Sequence, residues 1–201
     1  MLPHTRSARD LAVAVLVAIM LTVLPADAHG PAPQGMAPPP LPIGAGGPFA
    51  LIDHHGRPVT DADFHGRFML VFFGYANCQG VCPSGLRSMT TALDLLGADG
   101  DRVTPVLITV DPEADTPETM ATAVNAIHPK LVGLTGSLAA LSAAAKAYKV
   151  SAKLIGWTVD KKPIIEHGSF IYLMGPDGAF VALYPPILDP EAIARSVRQY
   201  L

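Results

Sequence analysis

The chain has 201 residues, and its 14 basic and 17 acidic side chains give a formal net charge of −3. This balance provides no basic field, which excludes nucleic acid as an expected partner. Half of the residues are hydrophobic, and the length suits one domain with a sizeable core. The sequence contains only two cysteines, so their placement decides what kind of site they can form.

The N-terminus has the pattern of a secretory signal. Arg6 and Arg9 precede an apolar run from Leu11 to Leu24, and the small residues Ala26 and Ala28 follow it. The run is shorter than the roughly 20 residues that cross a bilayer as a helix, so we expect cleavage after Ala28. The alternative is an uncleaved membrane anchor. In either case the folded part lies outside the cytoplasm.

Composition divides the exported chain into a linker and a domain. Residues 29–48 are rich in proline and glycine and show no apolar periodicity, which is typical of an extended linker. Regular structure is expected from Phe49 onward, with Asp53-His54-His55-Gly56 as the turn of a small hairpin. We therefore predict a signal peptide or anchor over residues 1–28, a linker over 29–48 and one domain over 49–201.

The two segments that flank the cysteines have the clearest patterns. Phe68 to Phe73 is continuously apolar and lies between Gly66 and Gly74, as a strand buried on both faces does. After Cys82, apolar residues recur at helical spacing up to Leu96, so a helix begins at the cysteines.

The remaining segments alternate between strands and helices. The predicted elements are a buried strand over residues 103–110, a helix from Thr116-Pro117 to about Ile127, an alanine-rich helix over 137–148, a loop over 150–163, a hairpin around Gly175-Pro176-Asp177-Gly178 and a last helix from Asp189. The order β-α-β-α-α-β-β-α indicates an α/β, thioredoxin-like three-layer fold. It has a central mixed sheet and an N-terminal β-hairpin extension.

Cys78 and Cys82 stand four residues apart where the buried strand leads into its helix. At this spacing on a helical turn, Cβ atoms lie about 5–6 Å apart, so two sulfurs can close on one ion or on each other. The positive end of the helix favours thiolate over thiol. A purely structural disulfide would enclose only the three residues between the cysteines, which stabilises a chain little. The spacing predicts a functional pair and leaves copper, zinc and redox chemistry open.

Three stretches follow one another along the chain: the segment from Phe73-Gly74-Tyr75 to Cys78-Gln79-Gly80-Val81-Cys82-Pro83, the segment Thr109-Val110-Asp111-Pro112 with its continuation to Glu118, and His167-Gly168-Ser169-Phe170-Ile171-Tyr172-Leu173. In this order they resemble the Sco/SenC family of copper chaperones. The resemblance extends over about residues 49–201.

The resemblance implies a periplasmic or membrane-tethered copper protein that helps to build the binuclear copper centre of cytochrome c oxidase. It implies one copper ion per chain, as copper(I) or copper(II), bound by Cys78, Cys82 and His167. Soft thiolates select copper(I), and imidazole suits copper in both oxidation states. The implied partners are the copper-bearing oxidase subunit and other periplasmic copper carriers or thiol reductases. The role is either copper delivery or reduction of that subunit's cysteines, so Cys78 and Cys82 are also the candidate redox-active pair.

Two departures and two rival classes accompany the resemblance. Gln79-Gly80 stands where the family commonly has Pro-Asp, and the loss of this acid beside the thiolates should alter their pKa values and copper affinity. Glu166 replaces a frequent aspartate before the histidine. The rivals are a thiol peroxidase and a general thiol-disulfide oxidoreductase of the thioredoxin superfamily, and neither uses His167.

Asp111 is interpreted as a turn residue, and Trp157 as either a partner contact or a cover over the site.

Overall fold

The computed structural model describes residues 44–201. The predicted signal peptide and the linker up to residue 43 lie outside the described residues. The segment 44–48, which the sequence assigns to the linker, contacts the domain, because Ala45 is buried and Gly46 N donates to Ala147 O at 3.1 Å. Among the helices of the described part, none is both long and apolar enough to cross a membrane.

Residues 44–201 contain nine strands and four α-helices. The strands are β1 (Ala50–Asp53), β2 (Pro58–Thr60), β3 (Phe68–Gly74), β4 (Val103–Thr109), β5 (Val132–Thr135), β6 (Ala152–Trp157), β7 (Pro163–His167), β8 (Ile171–Met174) and β9 (Phe180–Tyr184). The helices are α1 (Cys82–Leu95), α2 (Pro117–Ile127), α3 (Leu138–Ala147) and α4 (Pro190–Arg198), and two short 3-10 helices cover Asp61–Phe64 and Gly97–Arg102.

Seven strands form one mixed sheet in the order β2-β1-β5-β4-β3-β8-β9. The pairs β3–β4 and β4–β5 are parallel, and the other four pairs of neighbouring strands are antiparallel. Strand β3 lies inside the sheet, between β4 and β8, and all seven of its residues are buried. Its alternate side chains enter two cores, which is why it reads as an unbroken apolar run. The thioredoxin-like, mixed-sheet prediction with an N-terminal hairpin is confirmed.

The two cores lie on opposite faces of the sheet. Phe68, Leu70 and Phe72 of β3 pack in a cluster that includes residues of α1, α2 and α4. The intervening side chains, Met69 and Val71 among them, pack in a second cluster with residues of α3. The sheet thus forms the middle of three layers, and β3 delivers its C-terminal end to the loop that carries Cys78.

Two segments differ from the sequence prediction. A short parallel strand, β5, separates α2 from α3, where the pattern indicated two successive helices. The predicted loop over 150–163 instead contains β6, which pairs with β7 to form a separate two-stranded hairpin. Five of the six β6 residues are exposed, so the strand has no alternation of buried and exposed positions from which it could be recognised.

Candidate metal centre

The cysteine pair lies at the junction between β3 and α1. Cys82 is the first residue of α1 and is buried, whereas Cys78 lies in the preceding loop and is half-buried. The two cysteines form a disulfide, with 6.0 Å between their Cα atoms. The strand approaches the pair closely, because a Cβ added at Gly74 would lie only 3.3 Å from Cys82 Sγ. Glycine at the end of β3 therefore leaves room for the sulfur.

His167 reaches the same place from the other sheet. It is the last residue of β7, where it pairs with Ala152 of β6. Its Nε2 atom lies 3.3 Å from Cys82 Sγ. Two aromatic rings pack against the imidazole. The ring centroids of Phe72 and Tyr75 lie 6.3 and 6.0 Å from the centroid of the His167 ring, both in T-shaped arrangements.

The environment of His167 favours a neutral ring with one nitrogen free. Burial lowers the pKa of the imidazole below its ordinary value, and a hydrogen bond to the Gly168 backbone offsets only part of that effect. Nδ1 lies 3.2 Å from Gly168 O, which can only accept, so we assign the proton to Nδ1. The lone pair of Nε2 then points towards Cys82 Sγ. A fixed tautomer with an outward lone pair is the form of histidine that binds metals.

Tyr75 links the β6–β7 hairpin to the cysteine loop. Its hydroxyl accepts a hydrogen bond from Ile165 N at 3.4 Å, two residues before His167. Tyr75 is itself buried at the start of the loop that leads to Cys78. One side chain thus holds the strand that carries the histidine against the segment that carries the thiols. The sequence motif contained this tyrosine, but only the fold reveals its contacts.

Solvent reaches the group through a cavity of about 320 Å³. Cys78 and His167 line it together with Gln79, Ser169 and Ile165 of the hairpin. A second cavity, of about 450 Å³, begins at Cys78 and Cys82 and runs between α1 and α2 to His128. The half-buried sulfur of Cys78 is therefore the one most accessible to an incoming ligand or thiol.

The three side chains fit one soft metal ion. A sulfur of each cysteine and a ring nitrogen of His167 lie within 4.8 Å of one another. In the part of the chain that the structure describes, this is the only group of three or more His, Cys, Asp or Glu residues that could hold a metal. Other histidines are engaged elsewhere: His54 Nδ1 accepts from Gly133 N, and His128 Nε2 lies 3.1 Å from Asp94 Oδ1. Two thiolates and an imidazole are a donor set that suits copper.

The family model for SCO1/SenC matches residues 40–201. The chain belongs to the SCO1/SenC family. It is 39% identical to Protein sco1 of Schizosaccharomyces pombe over 158 residues, which cover 77% of this chain. The match spans only 60% of the length of that relative.

Solved Sco structures resemble the whole described domain. Bradyrhizobium japonicum ScoI with copper bound superposes with a TM-score of 0.72 at 39% identity, covering 78% of this chain and 99% of that one. BsSco, a member of the Sco family of cytochrome c oxidase assembly proteins in which a disulfide switch was identified, has a TM-score of 0.60 at 25% identity and covers 77% of this chain and 91% of that one. The copper that the family resemblance implies is the metal bound in that ScoI structure.

Within this Sco/SenC domain, the residues that depart from the family pattern lie at the margin of the site. Gln79 is exposed and lines the smaller cavity. Glu166 is exposed and is paired across the hairpin with Lys153, on the opposite face of β7 from His167. Trp157 lines a neighbouring groove with Asp111 and Leu138, not the cavity that contains Cys78 and His167.

Proposed function

We propose that this protein carries one copper ion on Cys78, Cys82 and His167 and delivers it to the binuclear copper site of cytochrome c oxidase. The observation that carries the proposal is the convergence of two sulfurs and one imidazole nitrogen within 4.8 Å. The copper bound to Bradyrhizobium japonicum ScoI supports the choice of metal. Membership of the family, together with the BsSco relative, supports the role in oxidase assembly.

Copper binding requires the reduced pair. A thiolate is the metal ligand, whereas a disulfide uses both sulfurs and leaves His167 as the single strong ligand. Bound copper would act as cargo, with the two thiolates sufficient for copper(I) and the imidazole completing a site for copper(II). Two features of the chain suit this role. His167 Nε2 lies 3.3 Å from Cys82 Sγ, and Cys78 is only half-buried, so copper can enter and leave on its side.

The proposed compartment is the periplasm or the outer face of the cytoplasmic membrane. The secretory pattern of residues 1–28 supports export, with the linker as a tether if the signal stays uncleaved. An oxidising compartment also makes a disulfide between Cys78 and Cys82 a stable resting form. Loading with copper then depends on a thiol reductase, which is one of the predicted partners.

The hairpin offers a surface on which the oxidase subunit could dock. Leu154, Ile155, Trp157 and Val159 are all exposed there, with Trp157 60% and Val159 101% accessible. Pro163 and Ile165 line both this surface and the cavity that reaches Cys78. Exposed apolar patches of this kind mark protein–protein contact sites. We therefore expect an acceptor that covers the cavity mouth to rest on the hairpin.

A second candidate function is reduction of the acceptor's cysteines, which the Cys78–Cys82 disulfide favours. In that reaction the dithiol of this protein attacks an acceptor disulfide, and two electrons and two protons pass to the acceptor as two thiols. The product on this chain is the Cys78–Cys82 disulfide. Thiol–disulfide exchange of this kind proceeds through a mixed disulfide, for which the more accessible Cys78 is the attacking residue.

The two roles are separated by the variant His167→Ala. Purified acceptor domain, with its two cysteines oxidised or reduced, is mixed with the reduced protein with and without copper, and acceptor thiols and acceptor copper are counted. Delivery predicts that His167→Ala loses most of its copper(II) transfer to reduced acceptor and less of its copper(I) transfer, while reduction predicts that copper-free His167→Ala still converts oxidised acceptor to two thiols. A His167→Ala protein that transfers copper in both oxidation states like the wild type would refute the proposed delivery site.

A further inference from the structure

A buried carboxylate joins the cysteine loop to the ends of two neighbouring strands. Asp115 lies between β4 and α2 and is fully buried. Its Oδ2 atom accepts from Thr109 Oγ1 at 2.5 Å and from Ala76 N at 3.0 Å. Its backbone oxygen accepts from Thr135 Oγ1 at 2.6 Å, at the end of β5. The residue therefore fastens Ala76, two positions before Cys78, to the core of the sheet.

The cysteine loop has few rigid supports near Cys78. Asn77, Gln79 and Gly80 are exposed, and Cys78 N makes a local bond to Tyr75 O at 3.2 Å. Cys82 is held differently, because it belongs to α1 and is fully packed. His167 is held by its pairing in the β6–β7 hairpin. Of the three ligand positions, the one at Cys78 thus depends most on the bond at Ala76.

The carboxylate is kept buried against an electrostatic penalty. Burial raises the pKa of Asp115, the hydrogen bonds from Thr109 and Ala76 lower it, and the charge of Asp111 raises it. Its second oxygen, Oδ1, is buried without a hydrogen-bond partner among the described residues. Together these effects raise the pKa of Asp115 above its ordinary value, with burial as the largest cause. A buried carboxyl group with one unpaired oxygen lowers stability, so the arrangement favours a firm hold on the loop over the most stable core.

We propose that Asp115 is a positioning residue for the metal and dithiol site, which acts by fixing the Cys78 end of the loop through the Ala76 amide. This role rests on the proposed ligand set. Without the carboxylate, the loop is free to move while Cys82 and His167 stay in place. Loss of Asp115 should consequently resemble a partial loss of Cys78 and leave the other two ligands unaffected.

Copper affinity of the reduced protein tests this role through a double-mutant cycle. Asp115→Ala should lower the affinity about tenfold, since leaving the Ala76 N–H without its acceptor costs about that much in an equilibrium. In a Cys78→Ser background the same substitution should change the affinity less than about twofold, because the two changes act through one ligand. Asp115→Asn keeps an acceptor for Ala76 N and should recover most of the affinity.

Thr135→Val is the matched structural control. It removes the buried bond to the backbone oxygen of Asp115 but leaves the bond to Ala76, so it should lower the free energy of unfolding without changing copper affinity. A second readout needs no metal: alkylation of the reduced protein, followed by mass spectrometry, should become faster at Cys78 and not at Cys82 in Asp115→Ala.

The outcomes separate this role from the proposed function. If Cys78→Ser binds copper more weakly than the wild type while Asp115→Ala retains wild-type affinity and alkylation rates, the positioning role is refuted alone. It is also refuted if Thr135→Val weakens copper binding as much as Asp115→Ala does, or if Asp115→Ala has the same effect in both backgrounds. If Cys78→Ser binds copper like the wild type, the ligand set itself is wrong, and the positioning role is refuted with it.

Discussion

Replacing Gly85 by alanine should disturb both the core and the site. Gly85 lies on the first turns of α1, where an added Cβ would sit 2.8 and 3.0 Å from two ring carbons of Phe72 and 3.2 Å from Pro186 Cβ. The Phe72 ring is fully buried among packed side chains, so it cannot turn aside without disturbing its neighbours. Relief must come from moving α1, which begins at Cys82, or from moving Phe72, whose ring packs against His167.

Two opposing effects set the size of the change in stability. Alanine is better than glycine in a helix by about 1 kcal/mol. Overpacking a filled core costs about 1–3 kcal/mol, and a 2.8 Å contact with a buried ring places Gly85 within that range. We therefore expect the free energy of unfolding to fall by about 1 kcal/mol, with copper(II) affinity falling as well because the gap between Cys82 Sγ and His167 Nε2 changes.

Urea unfolding of Gly85→Ala and the wild type, both in the disulfide form, measures the stability term, and competition titration of the reduced proteins measures the affinity. Gly156→Ala is the control, because a Cβ there meets no atom within 4 Å and should change stability by no more than about 0.5 kcal/mol. If Gly85→Ala were as stable as the wild type or more so, with unchanged affinity, the inferred coupling between this packing contact and the site would be wrong.

Three further predictions concern the ligands, the core and the docking surface. His167→Ala should weaken copper(II) binding strongly and copper(I) binding less, and equal titration curves for mutant and wild type in both oxidation states would remove His167 from the ligand set. Burial raises the pKa of Tyr172 from 10.0 to about 12. The unfolded chain therefore loses this proton first, stability should fall by about 2–3 kcal/mol as the pH rises from 10 to 12, and Tyr172→Phe should flatten that fall in thermal unfolding measured against pH. Trp157→Ala should slow copper transfer to the acceptor domain about tenfold with copper affinity unchanged, whereas Leu95→Ala, at the end of α1 remote from Cys82, should transfer at the wild-type rate; equal rates for both variants would exclude the hairpin as the docking surface.

The parts of the fold that the sequence predicts are those with strong local patterns. Strand β3 is bounded by glycines and buried on both faces, and α1 carries apolar residues at helical spacing. Strand β5 was missed because four residues are too few to establish a period. Strand β6 was missed because its side chains are exposed, so that pairing with β7, and not burial, defines it. The local sequence of β6 has no pattern from which this pairing could be predicted.

The site shows the same division between local and tertiary information. The spacing of Cys78 and Cys82 predicts that their sulfurs can meet, and they do, although Cys78 lies in the loop before α1 and not on a helical turn with Cys82. His167 lies 85 positions from Cys82 and on a different sheet, so only the resemblance to the family motif could select it. Asp115 had no assigned role, because its bond to Ala76 depends on how the loops after β3 and β4 pack.

The most direct test of the central claim is the copper stoichiometry of the reduced protein compared with the fully oxidised protein, measured after the reductant has been removed without oxygen. Sulfur-to-copper charge-transfer absorption of the same samples reports whether thiolates are ligands. We predict one tightly bound copper per chain with this absorption in the reduced form, and weak binding without it when Cys78 and Cys82 are joined. Equal, tight binding by both forms would contradict a site built on these two thiolates and His167.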